Sequence, residues 1–234
     1  MIAHPGEKHS GGLASRLNWL RAGVLGANDG IVSTAGLVVG VAGATSDRTA
    51  ILIAGLAGLV AGALSMAGGE YVSVSSQADT ERAALELERR ELAEMPEHEL
   101  DELTRIYVDK GLTPDLAAAV AIQLTDHDAL AAHAEAELGI DPEVRTNPLH
   151  AAWSSMIAFT VGALLPLLAI VLPPQSWRVP VTVVAVTGAL VLTGVVSAQL
   201  GGGPARPPVV RNVCVGLLAM AITFAVGYLV GGAV

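Results

Sequence analysis

Five sparsely charged apolar stretches, each about twenty residues or longer, dominate this chain, and that length is what a helix needs to cross the hydrocarbon of a bilayer. They cover about residues 17–44, 50–71, 151–172, 179–200 and 209–232. Turn chemistry separates neighbours: Thr45-Ser46-Asp47-Arg48, Pro173-Pro174-Gln175-Ser176 and Gly201-Gly202-Gly203-Pro204. With 52% hydrophobic residues against 15% charged over 234 positions, a disordered chain is excluded and an ordinary soluble enzyme disfavoured. The expected fold is an all-α membrane protein with five transmembrane helices.

Charge is distributed unevenly. Of 22 acidic residues, 18 fall between Asp79 and Glu143, and none follows Glu143. This sets an acidic insert between the second and third spans. The expected organisation is residues 1–74 as the N-terminal segment with spans one and two, 75–145 as a cytoplasmic acidic helical metal-binding domain, and 146–234 as spans three to five.

Basic residues set the orientation. Lys8, Arg16, Arg21, Arg206 and Arg211 lie on one side, Arg48 and Arg178 on the other. The N-terminus and the insert are therefore expected in the cytoplasm and the C-terminus outside. The first 16 residues are polar and lack an apolar core, so no cleavable signal peptide is expected and the first span serves as its own insertion signal. Eleven Arg against two Lys, with abundant Ala and Gly, fits a GC-rich bacterial genome and hence a bacterial plasma membrane. The single cysteine, Cys214, excludes an intrachain disulfide and any Cys-based metal cluster, and its apolar setting reads as packing.

The insert reads as three helices. Nothing breaks the chain between the second span and Met95, so that span is expected to continue as one long helix. Pro96 opens a second helix at its N1 position, ending near Gly111. Thr113 caps a third, which Gly139 closes.

Asp29 lies mid-span in Gly26-Ala27-Asn28-Asp29-Gly30. A carboxylate there is costly unless it meets water, a cation or a partner, so it marks function by default, the alternative being a structural Asp paired with Arg21. Met66 and Glu70, at i and i+4, share a face of the second span; core filling by Met66 and snorkelling by Glu70 are the alternatives. In the insert, Glu88 and Glu91, then Glu99 and Glu102, each stand at i, i+3, and the turn at Pro96 brings the two faces together. Glu88 lies between Leu85 and Leu92 on its helical wheel and Glu99 between Leu103 and Ile106, so both acids border apolar stripes. Like charges crowded this way need a cation. His133 and Glu137 add an i, i+4 pair, a spacing that suits two ligands on one metal. Carboxylates with an imidazole suit Fe²⁺, Mn²⁺, Co²⁺ or Zn²⁺. The alternative is a solvated acidic face, as expected for Glu81, Glu86, Glu94 and Glu97. His127 falls in the arc of Leu116, Val120, Leu130 and Ala134 and reads as a core histidine; His98 reads as exposed, at most a peripheral ligand.

No GxxxxGKS/T loop, GxSxG elbow, HExxH or CxxCH motif occurs, so nothing supports an enzyme, ATP-driven pumping or a permanently bound cofactor. A ferroxidase would want Glu-x-x-His pairs, and the acidic pairs lack that form. The glycine pairs read as helix-packing features.

Two motifs carry a family resemblance. Leu20-Arg21-Ala22-Gly23-Val24-Leu25-Gly26-Ala27-Asn28-Asp29-Gly30 resembles the first membrane helix of the vacuolar iron transporter family. Ala61-Gly62-Ala63-Leu64-Ser65-Met66-Ala67-Gly68-Gly69-Glu70-Tyr71-Val72-Ser73 is similar to its second helix, in the form of bacterial members. The resemblance implies a homodimer exporting Fe²⁺, often also Mn²⁺, from the cytoplasm in exchange for protons, with Asp29 and Met66 lining a path at the dimer interface. It also implies metal binding by Glu pairs spaced 3, 8 and 3 apart, which Glu88, Glu91, Glu99 and Glu102 match. A Met-Met-x-x-Glu-Leu-Gly element of the family corresponds to His133-Ala134-Glu135-Ala136-Glu137-Leu138-Gly139: Glu137 is kept and both methionines are replaced. The plant-type Glu eight residues before the second-span Met is Gly58 here, with Glu70 as the candidate substitute. The expected partners are metal ions, protons and the bilayer, and no nucleic acid. A metal-gated channel without proton exchange, or a membrane-anchored metal store or sensor, is the alternative.

Overall fold

The computed structural model describes residues 12–140 and 147–233, with side chains from Gly23 onward. Its helices are α1 (Gly12–Ala44), α2 (Arg48–Glu94), α3 (Pro96–Asp109), α4 (Pro114–His133), α5 (Pro148–Val171), α6 (Arg178–Gly201) and α7 (Arg206–Gly231). Five helices, α1, α2, α5, α6 and α7, are long and apolar enough to cross a membrane. Helix is the dictated choice there, because lipid supplies no partner for a free backbone amide. The chain is a multi-pass membrane protein. By its contacts it divides into two compact units, residues 1–71 with 149–234, and residues 72–148.

The first unit is a bundle with an apolar core that includes Ile31, Val38, Ile51, Ile170, Leu190 and Met220. Between membrane helices, close backbone approach replaces the hydrophobic effect as the cement. A side chain at Gly30 would run into the Phe159 carbonyl of α5, and one at Gly162 into the Ala27 carbonyl of α1. Further along α1, Gly227 of α7 rests on the Gly40 carbonyl. By contrast, Gly68 and Gly69, expected as packing glycines, have nothing within 4 Å of a built Cβ. Cys214 is exposed, not packed: it lies on the face of α7 turned away from the buried Gly216 and Met220.

The turn between α1 and α2 is clasped. Arg178 is buried and donates from Nη1 to the Ser46 carbonyl at 2.8 Å, while Arg48 Nη2 donates to the Pro173 carbonyl at 3.2 Å. Asp47 Oδ1 accepts the Thr49 amide at 2.9 Å, which starts α2.

In the second unit, α2 runs unbroken to Glu94, and Pro96 occupies the first turn of α3. Leu103, Ala121 and Ala132 form its buried core. Thr113 takes the N-cap position of α4 with extended backbone, but its hydroxyl makes no cap bond. Inside α4, Asp128 leaves helical geometry (φ −161°, ψ 95°) and its Oδ1 accepts the Ala131 amide at 2.9 Å, so one helix stops and another starts there. A π-helical turn follows over Ala134–Leu138, and Gly139 closes it at φ 64°, a left-handed conformation that glycine adopts freely.

Candidate metal sites

In the membrane unit, Asp29, Met66 and Glu70 share one cavity of about 400 Å³, whose walls also include Ser33, Thr34 and Phe159. The helical repeat explains the convergence. Asp29, Ser33 and Leu37 recur every four residues on one face of α1, and Gly58, Gly62, Met66 and Glu70 do the same on α2. Gly26 and Gly30 are held against α5, and Asp29, about 80° round the helix from them, opens into the cavity beside that contact. Its carboxylate is unpaired among the described residues; the side chain of Arg21, the alternative partner, lies outside them. Met66 is half-buried against Ala63, Phe159 and Ala163. At one end Leu37 lies on Gly58, where a built Cβ would collide with it. No carboxylate is found there, and Glu70 lines the cavity one turn past Met66.

Behind Asp29, Asn28 joins a polar chain that sequence reading left without a role. The Thr193 hydroxyl stands 3.3 Å from Asn28 Oδ1, and the Asn212 amide reaches Thr193 at 3.5 Å. These groups tie α1 to α6 and α7 beside the candidate carboxylate. Asn28 was visible in the motif; its partners, more than 160 residues away, were not.

In the second unit, Glu88, Glu99 and His133 are all buried and offer ligand atoms within 4.8 Å of one another. His133 Nδ1 lies 3.0 Å from Glu88 Oε1, 3.8 Å from a Glu99 oxygen and 3.7 Å from Glu137. Yet among the described residues neither His133 nitrogen, nor Glu88 Oε1, makes a hydrogen bond. Buried polar atoms are normally bonded, and lone pairs that converge without bonding are the arrangement a cation satisfies. Burial raises the Glu88 pKa above the ordinary glutamate range; His133 opposes this, and Glu137, Glu99 and Glu91 reinforce it. Glu102 turns outward: with Glu99 and the exposed His98 it forms a second, more open group. Glu91 is half-buried and belongs to neither group. Glu86, Glu94 and Glu97 are exposed and Glu81 is half-buried.

His127 is exposed, against the expectation of a core histidine. The stripe that α4 buries runs through Ala117 and Ala121, and the break at Asp128 resets the phase, so His133 is the imidazole that goes inside.

The VIT family profile matches residues 20–228. This chain belongs to the VIT family. It is 46% identical to a "Vacuolar iron transporter" of Acanthamoeba castellanii over 96% of this chain and 83% of that one. It is 37% identical to "Vacuolar iron transporter homolog 2" of Arabidopsis thaliana, covering 93% of this chain and 87% of the relative. A "VIT-like transporter 1b" of Glycine max is also 37% identical, over 92% and 78%. These relatives are named as transporters, not as enzymes.

Proposed function

We propose that this VIT-family chain is a secondary transporter that moves Fe²⁺ or Mn²⁺ out of the cytoplasm in exchange for protons, working as a homodimer. Zn²⁺ and Co²⁺ are further candidate ions, and no permanently bound cofactor is needed. The observation that carries the reading is the shared membrane cavity: two carboxylates and a thioether line it, and Asp29 stands there without a protein partner among the described residues. The relatives' names favour iron. The acidic unit captures the ion through Glu88, Glu99, His133 and Glu137, with Glu91 and Glu102 adding negative charge around them. Glu70, Met66 and Asp29 then carry it along the cavity. The excess of Lys and Arg favours a cytoplasmic N-terminus and acidic unit and an outside C-terminus.

Coupling follows from chemistry. A carboxylate does not hold a proton and a divalent cation together, so protonation from the acidic side displaces the metal. The test is metal uptake by proteoliposomes, Fe²⁺ against Mn²⁺, with and without a pH gradient. Gradient-dependent flux is the expected result. Flux that moves no protons would make the protein a channel. Metal binding with no flux would favour a store or sensor, the reading that the orphaned buried cluster alone supports.

A further inference from the structure

Thr34 lies on α1 about 7.5 Å beyond Asp29 along the helix axis, towards the α1–α2 turn. It lines the same cavity, is 2% exposed, and its hydroxyl has no hydrogen-bond partner among the described residues. Its neighbours behave differently. Ser33, Thr160, Thr182, Thr187 and Thr223 each donate to the carbonyl one turn back, at 2.6 to 2.9 Å. That back-bond is the usual fate of a hydroxyl in a membrane helix, where water is absent. Thr193 finds a side-chain partner in Asn28. Thr34 makes neither bond.

What lies beyond Thr34 is apolar. Leu37, the next cavity residue on α1, lies on Gly58 and narrows that end. A cation leaving Asp29 in this direction therefore needs an oxygen before it meets hydrocarbon. A neutral hydroxyl meets that need, because a hard donor accepts Fe²⁺ or Mn²⁺ and a ligand without charge lets the ion go again. Rotation about χ1 exchanges Oγ1 with Cγ2 and turns the hydroxyl towards a passing ion at little strain, because threonine populates two rotamers in a helix.

We infer that Thr34 is a further ligand on the ion path, taking the cation from Asp29 and holding it short of the Leu37–Gly58 constriction. The inference rests on the transport reading and adds to it a step between the carboxylate and the apolar end.

The experiment compares proteoliposome uptake of Mn²⁺ and Fe²⁺ by wild type, Thr34→Val, Thr34→Ser and Asp29→Ala, with the melting temperature of each in detergent. Valine keeps the shape and removes the oxygen; serine keeps the oxygen. Thr34→Val is expected to transport about tenfold more slowly, the size of a lost accessory contact at a metal site. Its melting temperature should equal or exceed that of wild type, since an unbonded buried hydroxyl is removed. Thr34→Ser should recover most of the rate. Wild-type flux in Thr34→Val beside a dead Asp29→Ala overturns the inference and leaves the pathway intact. Equal losses in Thr34→Val and Thr34→Ser overturn it too, by showing that shape matters and oxygen does not. A wild type that carries no ion overturns the inference and the transport reading together.

Discussion

The two candidate sites use almost the same donors and arrange them in opposite ways. The membrane cavity sets two carboxylates and one thioether along about 400 Å³ of open space, and Asp29 there is exposed. The acidic unit gathers two carboxylates and an imidazole within 4.8 Å, all buried, with orphaned lone pairs. A dense, dry cluster binds tightly, because each donor has already lost its water. A strung-out set binds weakly at every step and lets the ion move on. Capture and passage therefore ask for different spacing more than for different chemistry.

The largest effect that would break this contrast is at Asp29. Asp29→Ala should lower flux at least about a hundredfold, the upper end of what metal sites lose with a supporting group. Metal affinity of the acidic cluster, read by calorimetry on the purified protein, should stay at the wild-type value. A variant that transports normally would remove Asp29 from the path. Next comes the reverse experiment. Glu88→Gln should weaken binding at the cluster by about 10–100-fold while some flux persists. If flux vanished as completely as in Asp29→Ala, capture and passage would be one site, not two.

A smaller effect sharpens the chemistry. His133→Ala should reduce Zn²⁺ binding more than Mn²⁺ binding, because imidazole suits zinc and carboxylates suit manganese. Equal losses would mean that His133 packs but does not ligate.

The smallest effect is on stability without metal. Burial holds the Glu88 pKa above its unfolded value, so between the two values the folded state binds the extra proton. That contribution to stability is complete below the unfolded pKa and is lost as pH rises through the folded one. Melting curves in chelator should show Glu88→Gln flattening this loss, with bound metal abolishing it. A wild type that gained stability over the same rise, to the same extent as Glu88→Gln, would refute the assignment.

How much of this was legible depends on the range over which each feature is encoded. The membrane helices follow from composition alone, and the unbroken run of α2 to Glu94 follows from an absence of breakers before Pro96. The pairing of Glu88 with Glu99 was also readable, because one proline turn fixes it. The orientation of Glu102 was not: three residues past Glu99 amounts to about 300° of helical turn, and the remaining ~60° is enough to leave Glu102 with the exposed His98. The break at Asp128 escaped for a different reason. Neither glycine nor proline marks it, and the only signal is an Asp able to cap the amide three residues on. Missing it hid the reset that brings His133 inside, whereas His127 was misplaced earlier, by taking Leu116 and Val120 for the buried stripe instead of Ala117 and Ala121. The Thr34 hydroxyl was unreadable in principle, since what distinguishes it is a bond it does not make.

The clasp formed by Arg48 and Arg178 has a mechanical consequence. With the Ser46 and Pro173 carbonyls held, the α1–α2 turn is pinned to the segment between α5 and α6. Asp29 lies 15 residues before Ala44, about 22 Å along α1, and Glu70 lies 22 residues past Arg48, about 33 Å along α2. Pinning the turn keeps the two helices in step, so the heights at which Asp29 and Glu70 meet their shared cavity are fixed by two arginines far from it.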